Sequence, residues 1–316
     1  MKKNLSFLGW ALLLALPFLF VACGDDDDDP DPMVNEPMSI VEIASGDTQF
    51  STLVTALQQA DLVSVLEADG PFTVFAPTNA AFTAAGIDLT TISDADLKEV
   101  LLYHVLGGAK ITSGDLADGQ TYASTASTYG PDATQLSILI EKSSNGVVLN
   151  GNTNVSTADV DATNGVIHIV DQVLLPLDVV GHASANSNFT SLVGALAAAD
   201  GGLVGVLQTD GPFTVFAPLN SAFAAIQSTV DGLTTEQLAK VLTYHVASGN
   251  VRSDMLTDGM EVSTVNAPEK FTVNITGSAV TLTDAGGGVS TVLLTDVQAT
   301  NGVIHVLESV IIPGNL

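Results

Sequence analysis

A fourteen-residue phrase occurs twice in this chain, as DGPFTVFAPTNAAF at residues 69–82 and as DGPFTVFAPLNSAF at 210–223. The two versions differ only at Thr78/Leu219 and Ala80/Ser221. A second phrase, ATNGVIH, stands at 162–168 and again, letter for letter, at 299–305. The first phrase recurs after 141 positions, far beyond the roughly 20–50 residue units that stack into solenoids. The chain therefore folds as two copies of one domain, each large enough to bury its own core. Any reading of one copy must also hold in the other.

The amino end reads as an address. Lys2 and Lys3 precede a short apolar run from Phe7 to Leu19, and small residues follow before Cys23, the only cysteine. Such a run is too short for a span and fits a secretory signal. The sequence Phe20-Val21-Ala22-Cys23 resembles a bacterial lipobox, which implies cleavage after residue 22 and lipid on Cys23. Acyl chains contribute about 0.8 kcal/mol per buried methylene, so two or more anchor a protein stably. Residues 23–37, with five aspartates in a row and three prolines between 30 and 37, read as an extended acidic tether. The Asp25–Asp29 run lacks anything to fix ligand geometry and is not a calcium site. An acidic stretch behind a lipidated cysteine also resembles surface-export signals. The expectation is an exported protein, lipid-anchored in the outer membrane of a Gram-negative bacterium and facing the cell surface.

Acidic residues number 35 against 8 basic ones, a net charge of −27. A phosphate backbone would be repelled, which excludes nucleic acid as a partner. One cysteine permits no internal disulfide, so the apolar core must hold each domain.

The copies align as residues 38–177 and 178–316. Phe50, Leu53, Val54, Leu57 and Ala60 form one helical stripe, repeated by Phe189, Leu192, Val193, Leu196 and Ala199. In the shared phrase, Phe72 to Ala76 is a strand and Pro77 ends it. Thr78 or Asn79 then caps a short helix. Leu219 cannot cap, so Asn220 is the shared candidate. Ser93-x-x-Asp96 and Thr234-x-x-Gln237 resemble capping boxes ahead of helices ending at Tyr103-His104 and Tyr244-His245. Ser-Asn-Gly between Ile140 and Val147 signals a hairpin. Helices first and antiparallel strands later is an α+β pattern.

The ordered motifs TVFAPTNAAF, LLYHVLGG and ATNGVIHIVDQVLLP, with TVFAPLNSAF, LTYHVASG and ATNGVIHVLESVIIP in the second copy, resemble the fasciclin-type domain. The resemblance covers nearly all of the chain beyond the tether. It implies two tandem domains, each a β-sandwich-like wedge of two short sheets with packed helices. It also implies extracellular adhesion and matrix modules that bind proteins and, in some cases, carbohydrate. Tyr103-His104 and Tyr244-His245 match the family's Tyr-His motif, linked in animal members to integrin recognition.

Four histidines recur between copies, as His104/His245 and His168/His305. The first pair completes apolar helix faces and the second alternates with Val and Ile on a strand, so core duty is the expectation. Zinc needs three or four convergent ligands, and none are legible, so neither metal nor cofactor is expected. The run Asp159 to Gly165 fails as an EF-hand, since its Gly is seventh and its twelfth residue is Val170. The second copy also has Gln298 in place of Asp161. Phosphate loops, nucleophile elbows and His-Glu-x-x-His patterns do not occur. The reading is a non-enzymatic adhesion or interaction protein with an extracellular protein or glycan ligand. The alternative is a carbohydrate-binding accessory protein of the envelope. The residues singled out are Cys23 for lipid and Tyr103, His104, Tyr244, His245, Asn79, Asn220, His168 and His305 for binding or structure. Partner specificity is expected where the copies differ: Thr78/Leu219, the Gly201-Gly202 insertion, and residues 121–131 and 283–290.

Overall fold

Why the chain falls into two equivalent halves is visible in its element order. The computed structural model describes residues 37–316. The signal segment, Cys23 and the tether, Pro37 apart, lie outside the described residues. The first half runs α1 (Ile40–Gly46), a 3-10 turn (Thr48–Phe50), α2 (Ser51–Gln59), α3 (Val63–Leu66), β1 (Phe72–Pro77), α4 (Asn79–Ala85), α5 (Asp94–Tyr103), β2 (Val105–Gly107), β3 (Gly119–Ser124), β4 (Ser137–Ser143), β5 (Gly146–Leu149), β6 (Thr153–Ala162) and β7 (Gly165–Val170). The second half repeats it as α6 (Val179–Ala185), a 3-10 turn (Ser187–Phe189), α7 (Thr190–Ala198), α8 (Leu203–Leu207), β8 (Phe213–Pro218), α9 (Asn220–Ala225), an added α10 (Gln227–Val230), α11 (Thr235–Tyr244), β9 (Val246–Ser248), β10 (Glu261–Ser263), β11 (Lys270–Thr276), β12 (Ala279–Thr283), β13 (Val289–Ala299) and β14 (Gly302–Leu307).

Helix α1 and its counterpart α6 have no long apolar stripe to announce them; their caps start them instead. The Ser39 hydroxyl accepts from the Glu42 amide while the Glu42 carboxylate accepts from the Ser39 amide, a closed capping box. Asp178 does the first half of this for α6. The predicted stripe Phe50, Leu53, Leu57 and Ala60 is buried, but Phe50 belongs to the 3-10 turn rather than to α2. Thr234 and Gln237 close their box at α11. At α5 the Asp96 side chain is too short to reach back, and it accepts the Ser93 hydroxyl instead.

The strands of each half form one sheet of seven, in the orders β2-β1-β7-β6-β5-β4-β3 and β10-β11-β12-β13-β14-β8-β9. All pairings are antiparallel except β1–β7 and β8–β14, which are parallel. The strands are thus not uniformly antiparallel, because β1 enters before the helices and β7 after the meander. The two short sheets expected are joined through the long strands β6 and β13. Both are bulged, with register shifts at 155–160 and 292–297. A bulge bends its strand and increases twist, so one sheet folds over to face itself. Asp159 and Asp296 sit at these bulges with φ of 63° and 62°.

Both faces of β1 are consequently buried. Val74 and Ala76 join the core beneath the helices. Phe75 points the other way, into a second core with Ile138, Ile140, Leu149 and Tyr103 between the two limbs of the sheet. Val215, Ala217 and Phe216 divide identically in the second half. That double burial explains why the repeated phrase is a continuous apolar run and not an alternating one.

Candidate functional site

The Tyr-His pairs close α5 and α11. Tyr103 and Tyr244 are wholly buried, and His104 and His245 nearly so. The Tyr103 hydroxyl donates to the Ser137 carbonyl at 2.9 Å and accepts from Asn150 Nδ2 at 3.0 Å. Tyr244 donates to the Lys270 carbonyl at 2.7 Å and accepts from the Ala285 amide. Burial raises both phenols above their ordinary pKa. His104 Nδ1 lies 2.7 Å from the Val100 carbonyl, and its Nε2 accepts from the Leu174 amide at 2.9 Å. His245 repeats this with the Val241 carbonyl and the Ile311 amide. One nitrogen donating and the other accepting fixes a neutral tautomer. Burial lowers both imidazoles to about 4. These four residues tie the end of a helix to the strand and tail behind it and offer no atom to a partner.

His168 and His305 are also buried and stack on Phe75 and Phe216, with ring centroids 5.6 and 5.3 Å apart. Their Nε2 atoms lie 2.9 and 2.8 Å from the Ile111 and Val251 carbonyls, and their Nδ1 atoms accept from the Asp159 and Asp296 amides. Burial lowers His305. The Asp159 and Asp296 carboxylates in turn hold the Ser113 and Ser253 amides. The acidic run at 159–165 therefore pins a loop to a bulge.

Asn79 and Asn220 occupy the first turn of α4 and α9 but cap neither helix. Thr78 caps α4, accepting from the Ala81 amide, while Leu219 leaves α9 with no side-chain cap. The Asn79 carboxamide accepts from the Thr52 amide and donates to the Thr48 carbonyl and the Ser51 hydroxyl. Asn220 likewise bonds the Ser191 amide and the Ser187 carbonyl. Both thus cap the neighbouring helices α2 and α7 from outside. Asn164 and Asn301, read from sequence only as turn residues, do more. Buried Asn164 accepts from the Ile40 amide and donates to the Leu66 and Ala68 carbonyls, and Asn301 matches it at Val179, Leu207 and Thr209. Gly165 beside it is required by packing, since a Cβ there would fall on the Phe72 carbonyl.

Residues 37–316 form one compact unit, and the two domains meet directly. Tyr122 on β3 lies against the His182 ring of α6, centroids 5.8 Å apart, and its hydroxyl accepts from Asn186 Nδ2 at 3.0 Å. Gln120 exchanges hydrogen bonds with Ser187 and Asn188. The Gln298 amide of β13 donates to the Ser137 hydroxyl at 2.9 Å. Gly151 packs so closely that a Cβ would stand 2.5 Å from the Ala185 carbonyl.

Key positions of this contact differ between copies. Strand register places Tyr122 opposite Leu139 in the first domain and Glu261 opposite Thr272 in the second. His182 replaces Ile43, three residues into each first helix. Most telling, the exposed Lys110–Asp161 ion pair of the first domain, 41% and 80% accessible at the side chains, becomes the Asn250–Gln298 amide pair of the second, 7% and 3% accessible. Covering an ion pair is costly, because desolvation can exceed the Coulombic gain. A neutral pair avoids it. Residues 121–124 lie in strand β3, and Tyr122 among them packs on the second domain.

Beside this junction lies a cleft of about 550 Å³, lined by Ala81, Ala84, Ala85, Asn150, Gly151, Asn152, Thr153, Gln172, Val173, Leu174, Leu175, Leu177, Gly181, Ser184 and Ala185. Its size suits a small ligand or a peptide segment. None of these lining residues titrates. Among the described residues no group of three or more His, Cys, Asp or Glu could hold a metal ion, and no helix is long and apolar enough to cross a membrane.

The profile of the fasciclin domain matches residues 48–176 and 187–313. Protein sll1483 of Synechocystis sp. is 47% identical over 144 residues, 44% of this chain and 74% of that protein. The rabbit (Oryctolagus cuniculus) transforming growth factor-beta-induced protein ig-h3 is 28% identical over 291 residues, 89% of this chain and 40% of that protein. A solved FAS1 domain pair from the insect cell adhesion molecule Fasciclin I aligns with a TM-score of 0.48 at 17% identity, over 81% of this chain and 91% of that one.

Proposed function

The chain belongs to the fasciclin domain family, and from that premise we propose that it is a non-catalytic adhesion or interaction protein, exported and held at the outer membrane by lipid on Cys23. Fasciclin domains are adhesion and binding modules, and two of them occupy most of this chain. One observation supports binding over turnover: the cleft between the domains has no titratable lining residue. The four recurrent histidines add to it, since each spends both ring nitrogens on backbone groups. A general base must reach its substrate with a free nitrogen, and these do not.

In this reading the acidic segment behind Cys23 spaces the domain pair from the lipid surface. The ligand is an extracellular protein or glycan. The test compares cells carrying the full chain, a chain lacking residues 38–316, and Cys23→Ser. Attachment to protein-coated and glycan-coated surfaces should fall on domain deletion, and Cys23→Ser should leave the membrane fraction. Equal attachment by the deletion strain across all surfaces would refute adhesion. Retention of Cys23→Ser in the membrane fraction would refute the lipid anchor.

A further inference from the structure

Among the described residues, four buried side-chain atoms have no hydrogen-bond partner: both ring nitrogens of His182, Nδ2 of Asn250 and Oε1 of Gln298. They are neighbours. Gln298 Nε2 donates to Asn250 Oδ1 at 3.1 Å, and the Gln298 backbone lies beside the His182 ring without reaching hydrogen-bond geometry. All three residues sit where the domains meet, next to Tyr122 and Ser137. We propose that this contact is an acid-released latch, closed while His182 is neutral and opened when His182 takes up a proton.

Unpartnered buried polar groups cost roughly 1–3 kcal/mol each, and separating the domains would return all four atoms to water. The junction is therefore held by packing against its own polar interior. A proton on His182 adds a charge that no side chain in the closed state balances, and the Gln298 backbone beside the ring offsets only part of its desolvation. Tyr122 faces the ring as a neutral phenol whose oxygen is taken by Asn186. The Asp178 carboxylate caps α6 through Gly181. On the strands packed behind, His305 is bonded to Val251 and Asp296, the Asp296 carboxylate holds Ser253, and Glu141 accepts from Gln120. Helices α7 and α8 carry no titratable side chain.

Burial lowers the ring to about 4 in the closed form, against about 6.5 for an exposed imidazole. The open form binds the proton more tightly, so opening is favoured as pH falls from about 6.5 towards 4 and is pH-independent above that window. At pH 5 the ratio of the two binding polynomials favours opening about 30-fold over pH 7.5. Release would uncover Tyr122 and Leu139, an apolar face that the second domain replaces by Glu261 and Thr272.

The test uses the full chain with Cys23→Ser and one reporter cysteine at the buried junction, Ser137→Cys. Its disulfide-exchange rate, normalised to that of the denatured chain at each pH, reads how often the junction opens. The rate should rise about 30-fold from pH 7.5 to 5 with His182 present, and should stay flat with His182→Ile, the residue of the first domain. His182→Phe serves if the isoleucine variant does not fold. A flat rate with His182 present, or an equal rise in the variant, overturns the latch. So does an equal rise at a reporter inside the first core, Ala56→Cys, because opening would then be unfolding.

Discussion

Replacing Gln298 by Asp asks whether the second domain abandoned its ion pair because the junction covers it. The Gln298 amide donates to Asn250 Oδ1 at 3.1 Å, the Ala299 carbonyl at 3.3 Å and the Gly302 carbonyl at 2.7 Å. Gln298→Asp removes all three and places a carboxylate where only 3% of the residue is accessible. Leaving a buried charge without a partner costs about 3–5 kcal/mol. The reciprocal change, Asp161→Gln, breaks a pair exposed at 41% and 80% and should cost less than about 1 kcal/mol. The same chemical exchange, at equivalent positions of one domain fold, is thus expected to differ several-fold. Guanidinium unfolding of the full chain at pH 7.5 measures both. The introduced carboxyl should have a folded pKa above its unfolded value near 3.9. Its penalty relative to the parent therefore grows as pH rises through that window and shrinks towards pH 4. Adding Asn250→Lys should restore part of the loss and not all of it, since the pair remains desolvated. Equal costs for Gln298→Asp and Asp161→Gln would refute the reasoning.

Two further tests address the framework. His104 and His245 are neutral with folded pKa near 4, below the ordinary 6.5 of an unfolded chain, so the unfolded chain binds more protons. Stability should be full above about 6.5 and fall towards pH 4, by up to about 3 kcal/mol per histidine; the pH slope of the unfolding midpoint should drop by about one proton in a His104→Gln chain. Asn164→Ala and Asn301→Ala each delete three hydrogen bonds, two buried and one part-buried, and each should lower stability by about 3 kcal/mol at roughly 1 kcal/mol per bond, read by denaturant titration.

How much was legible depended on whether a residue's partner lay nearby in sequence. The stripe from Phe50 to Ala60, the capping pair Thr234/Gln237, the proline stop at Pro77 and the hairpin at Asn145-Gly146 rest on local geometry, and the sequence carries all of that geometry itself. Helix α1 carries no periodic signal, because its start is a capping box at Ser39 and Glu42 with too few turns behind it for periodicity. Sequence points Asn79 and Asn220 to their own helices because a capping signal spans only three or four residues. Their true partners, Thr52 and Ser191, lie 27 and 29 positions away.

The repeated motifs by themselves determined that there are two domains, what family they resemble and where the strand Phe72–Ala76 lies. Those properties follow from local propensity and from side-chain character repeated in register. The motifs did not determine that the copies bind one another, nor through which residues. Tyr122, Ser137, His182, Asn250 and Gln298 are scattered over more than half the chain and share no motif. Only the bulged, folded-over sheets and the docking of α6 bring them to one place. What covers a side chain, and so whether Lys–Asp or Asn–Gln is the stable pair, is a property of burial, and burial is decided by the tertiary structure.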